Sequence, residues 1–121
     1  MDTREYTGLM ASGLKRLADA EREANAPESR FDLAYNAAHA LCLAALRRKG
    51  YRAANRYVVF QVLPHTLGLG PEVWRVLARA HEIRNRGEYE GDLDIDDRLL
   101  TDLITACKAV ATTLRKLPAP A

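Results

Sequence analysis

The chain has 121 residues, 48% of them hydrophobic and 28% charged, with a formal net charge of +2. That length supports one domain over residues 1–121 with a single modest core, and the composition is that of an ordinary globular protein. No run approaches the roughly 20 apolar residues of a transmembrane helix. The opening residues Met1 to Glu5 lack a basic segment followed by an apolar one, so no secretion signal and no membrane partner are expected and a cytoplasmic location is the default.

A first helix is expected from about Thr3 to Asn25, anchored by Leu9, Leu14 and Leu17 and broken by Asn25-Ala26-Pro27-Glu28. Ser29 reads as the N-cap of a second helix running from Arg30 to about Arg48, with Asp32 three residues on. This helix is apolar on nearly all sides, which predicts a central place in a bundle or burial by a second subunit. Gly50 ends it. The segment from Ala53 to about Leu67 carries the β-branched run Val58, Val59 and Val62, yet nothing nearby offers a pairing strand, so it reads as a helix closed at Pro64. Pro71 suits the first position of a fourth helix, and Asp94 or Asp96 can cap a last one that Pro118 and Pro120 stop. The expected fold is all-α, an up-and-down bundle of four to five helices.

Cys42 and Cys107 lie in apolar helical contexts and read as small buried thiols. The charges are unevenly spread. Arg47, Arg48, Lys49, Arg52 and Arg56 fall in a stretch without acidic residues, whereas Glu88, Glu90, Asp92, Asp94, Asp96 and Asp97 crowd together. The basic stretch suits phosphates of RNA or DNA, or else a solvated helix end that complements the helix dipole. The acidic tract resembles a calcium loop only superficially, because Asp97 replaces the turn glycine and Leu103 falls at the closing position. His39, His65 and His81 show no metal-ligand spacing, so neither metal nor cofactor is expected. His39 reads as a hydrogen-bonded core or interface histidine, and His65 as a helix-end residue.

Near the end of the fourth helix stands Ile83-Arg84-Asn85-Arg86-Gly87-Glu88-Tyr89. Val73, Val76, Leu77, Ala80 and Ile83 make an apolar stripe, and Arg84 falls at its edge. An arginine there reaches solvent or meets a partner in a cleft. Asn85 follows, and Gly87 is expected to end the helix in a left-handed conformation. On the second helix Asn36 is the polar exception; its amide needs a partner if buried, and Arg84 across the bundle is a candidate.

The run from Arg30 to Ala38, followed by Ala80 to Tyr89, resembles the HEPN superfamily over roughly Arg4 to Leu117. The resemblance implies a HEPN-like bundle that forms a homodimer, two copies of the motif lining one cleft. Many such proteins are metal-independent ribonucleases of toxin–antitoxin or defence systems, some paired with a nucleotidyltransferase; others bind RNA or nucleotides without catalysis. Arg84 and Asn85 match the first two residues of the family's catalytic motif, while Tyr89 stands where its histidine belongs. Tyrosine, with an ordinary pKa of about 10, is a poor general base near neutrality, though it can donate to a phosphate or stack on a base. The expected function is therefore RNA or nucleotide binding with a degenerate catalytic motif. The alternatives are an active metal-independent endoribonuclease and a non-catalytic protein-interaction domain. The homodimer is also expected from the second helix, which has more apolar surface than one four-helix neighbourhood can cover.

Overall fold

The computed structural model describes residues 3–53, 55–90, 95–118 and 120, with residues 87–90 as backbone only. Among the described residues it is all-helical: α1 (Thr3–Ala20), α2 (Pro27–Arg48), α3 (Arg56–Gln61), α4 (Leu63–Thr66), α5 (Pro71–Glu90) and α6 (Asp97–Arg115). Four long helices form the bundle, and the two short ones bridge α2 to α5. None is long and apolar enough to cross a membrane.

Local chemistry explains where each helix starts and stops. α1 ends at Ala20, five residues earlier than the sequence suggests. Arg30 Nε donates to the Ala20 carbonyl at 2.8 Å and Asn25 Nδ2 to that of Asp19 at 3.0 Å, so side chains satisfy carbonyls that further helix would otherwise take. α2 begins at Pro27, whose missing N–H costs nothing in the first turn, and the N-cap is Ala26 without a side-chain bond. Ser29 is thus inside the helix and not its cap. Gly50 closes α2 at φ +88°, a left-handed turn. Asn55 caps α3, accepting from Val58 N at 3.0 Å. The β-branched segment is helical as expected, but it breaks at Val62 because Pro64 cannot donate back to the Phe60 carbonyl. Asp96 is the cap of α6, accepting from Leu99 N at 2.7 Å.

α2 is the axis of the molecule and touches all five other helices. Eleven of its residues are buried, among them Phe31, Ala34, Tyr35, Ala38, Leu41 and Cys42. The apolar surface that suggested a second subunit is covered within one chain, so this argument for a homodimer loses its premise. Tyr51 is the only large hydrophobic residue exposed among the described ones. Close packing needs small residues, and Gly13 supplies one: a Cβ there would lie 2.6 Å from Leu41 Cγ and 3.3 Å from the Ala37 carbonyl oxygen.

Candidate functional site

Where α2, α3 and α5 meet, the core changes from aliphatic to aromatic and polar. Tyr35 of α2 is the floor, only 1% exposed. Phe60 of α3 meets it edge-on at 6.0 Å between centroids, and His81 of α5 lies nearly parallel to it at the same separation. Tyr57 lies tilted against His81 at 5.5 Å between centroids. An α2 residue one turn beyond Tyr35, His39, sets its ring edge against Phe60 at 6.5 Å.

Onto this aromatic floor converge cations. Arg84 carries its guanidinium carbon 4.8 Å from the Tyr35 centroid, and Arg56 places its own at 6.0 Å. Arg84 Nε donates to Asp32 Oδ1 at 3.2 Å, one turn before Tyr35 and Asn36 on α2. Of the two outcomes open to an arginine at the stripe edge, solvent or a partner, Arg84 takes the second, and that partner is Asp32. Asn36 turns its amide back, donating to the Asp32 carbonyl of its own helix at 2.9 Å, a bond available to a side-chain donor four positions along.

His81 links the two helices. Tyr35 Oη lies 2.8 Å from Nδ1, and Asn85 Nδ2 lies 3.1 Å from Nε2. Both ring nitrogens of His81 are engaged, one by the Tyr35 hydroxyl and the other by the Asn85 amide. Asn85 is thereby linked to Tyr35 through the imidazole. His39 is held neutral: burial first, then the neighbouring Arg56, His81 and Arg84, lower its pKa from 6.5 to about 4.

Of the residues singled out in the sequence, Arg84, Asn85 and Arg56 are brought to one place. The remaining basic stretch is divided. Arg47 pairs with Glu5 of α1, Arg52 lies 3.9 Å from the same carboxylate, and Arg48 donates to the Pro118 carbonyl at 3.2 Å. Lys49 is exposed at the end of α2. α5 continues through Gly87 to Glu90, so Gly87 does not end it. The side chain of Tyr89 lies outside the described residues, as do Asp92, Leu93 and Asp94 of the acidic tract. Among the described residues no group of three or more His, Cys, Asp or Glu is arranged to hold a metal ion. A surface hollow of about 330 Å³, lined by Val76, Arg79, Asp96, Arg98, Leu99 and Asp102, sets cations beside carboxylates and selects for neither sign.

The sequence reading missed His81, Asp32, Tyr35 and Tyr57, and it gave His39 only a structural role. His81 was within reach, since it precedes Arg84 by three residues and Asn85 by four, the spacing of one helical face. Asp32 and Tyr35 lie 52 and 46 residues from their α5 partners, and no local pattern encodes such pairings. Comparisons with protein-family models, with curated proteins and with solved structures find no match to this chain.

Proposed function

We propose that this chain is a HEPN-like protein that binds RNA or a nucleotide through the α2–α3–α5 cluster. One observation carries this reading: Arg84, from the motif-like Arg84-Asn85 pair, is fixed between Asp32 and the Tyr35 ring at a point where Arg56, His39 and His81 also converge. A guanidinium held in advance loses little freedom on gripping a phosphate. The half-buried rings of Tyr57 and His81 beside it suit a base. A toxin–antitoxin or defence role, a second copy across the cleft, and a nucleotidyltransferase or antitoxin partner rest on the HEPN resemblance alone.

A second reading, a metal-independent endoribonuclease, draws on His81 and His39. These supply imidazoles beside Arg84 from outside the motif, whose histidine position holds Tyr89. Both readings are tested together by incubating wild type and Arg84→Ala with mixed cellular RNA and with nucleotides in EDTA. Binding by wild type that falls about tenfold or more in Arg84→Ala, a loss on the scale of one charge-assisted contact, supports the binding reading. Cleavage by wild type alone supports the nuclease. Equal binding by both proteins, or none by either, removes Arg84 from the function.

A further inference from the structure

We propose that His39, with Arg56 and Arg84, forms a pocket for a phosphate ester and takes up a proton when the phosphate enters. The inference rests on the binding reading above and adds the ligand group and its proton linkage. Geometry leads to it first. His39 comes from α2, Arg56 from α3 and Arg84 from α5, and all three edge the aromatic patch of Tyr35 and Phe60. Among the described residues, the charged or titratable groups acting on His39 from the packed helices are Arg56, His81 and Arg84, with no carboxylate of α1 or α6. Asp32, the carboxylate on this side of α2, is engaged by Arg84 and its side chain is 57% exposed.

The electrostatics then has a direct consequence. Burial comes first in disfavouring the charged form of His39, and the guanidiniums of Arg56 and Arg84 that add to it are also charges that attract an anion. A phosphate seated among the guanidiniums cancels their field at the imidazole, and the His39 pKa rises from about 4. Because coupling is reciprocal, whatever raises proton affinity on binding also tightens binding as pH falls. The two sources of the group, a terminal monoester and the internal diesters of RNA, share this chemistry. Only the monoester itself titrates, near pH 6, so the diester isolates the contribution of the protein.

The experiment is an NMR titration of the histidine ring signals with adenosine 5′-monophosphate and, separately, with a 5′-hydroxyl adenylate trimer carrying diesters alone. Wild type, His39→Gln and Arg84→Ala are compared from about pH 7.5 to about pH 5.5. At least one ligand is expected to raise the His39 pKa from about 4 to about 6 or above. Wild type is expected to bind that ligand about fivefold tighter than His39→Gln at the acid end and equally at the alkaline end. Response to the monophosphate identifies a terminal phosphate, and response to the trimer an RNA backbone. Arg84-dependent binding with no change at His39 overturns this inference and leaves the binding reading standing. No binding of either ligand overturns both. Should His39→Gln not fold, judged by circular dichroism, the His39 shift in wild type alone decides.

Discussion

Two faces of α2 follow different rules. Along Ala34, Ala37, Ala38, Leu41 and Ala45 the helix offers carbon only, and its neighbours close on it without gaps. Asp32, Tyr35 and His39, at a helical spacing of three and four, hand another side to hydrogen bonds, ring contacts and charge. The first face is specified by volume, where an error of one methylene is felt. Directed bonds between partners specify the second, where Tyr35, His81 and Asn85 form a chain that fails if one link is lost. A single helix thus divides the work of holding the molecule together from that of presenting a polar site.

The sharpest way to test that division is Leu41→Ala. Truncating this fully buried side chain is expected to cost about 2–5 kcal/mol in a denaturant melt, while ligand binding at the Arg84 cluster stays unchanged in whatever remains folded. The same packing predicts coupling with Gly13. Alone, Gly13→Ala drives its new methyl into Leu41 and destabilises; with Leu41→Ala it enters the vacated space, and the two costs fail to add by about 0.5–3 kcal/mol. Additive costs would mean that the α1–α2 contact is looser than the distances require.

The polar face should show itself through acid. His39 has a folded pKa of about 4 against an ordinary 6.5, so between these values the unfolded chain binds more protons than the folded one. Stability is complete above about pH 6.5 and falls as pH drops toward 4. After discounting for solvent screening at this half-buried ring, the loss is about 1–2 kcal/mol. Thermal melts of His39→Gln should lack that part of the acid dependence and match wild type in alkali. An identical decline in both proteins would place the acid sensitivity elsewhere.

A smaller effect belongs to neither face. Gly8 of α1 has open space where a Cβ would stand, so Gly8→Ala is expected to raise stability by about 0.5–1 kcal/mol through helix propensity. A loss instead of a gain would point to a contact on that surface.

Much of the fold was readable because helix ends are local chemistry. Pro71, Gly50 and Asp96 act where the sequence puts them. Ser29 misled because two signals compete at that junction, and Pro27 with its fixed φ starts the helix first. Gly87 misled because glycine permits a left-handed end without compelling one. At the site, Arg84 and Asn85 were legible from their place beside the apolar stripe, whereas their α2 partners were settled only by packing. The linear density of positive charge from Arg47 to Arg56 concealed a division, since Arg47 turns toward α1 while Arg56 turns toward Tyr35.

Cys42 and Cys107 give the molecule a clock. Burial pushes both thiols up, Cys107 to about 12, so neither offers a thiolate to an oxidant or alkylating reagent while the bundle is closed. Modification must wait for an opening of the core, and its pace counts those openings. Such a count follows the closing of the core around both thiols, so any ligand that slows it has tightened the whole bundle.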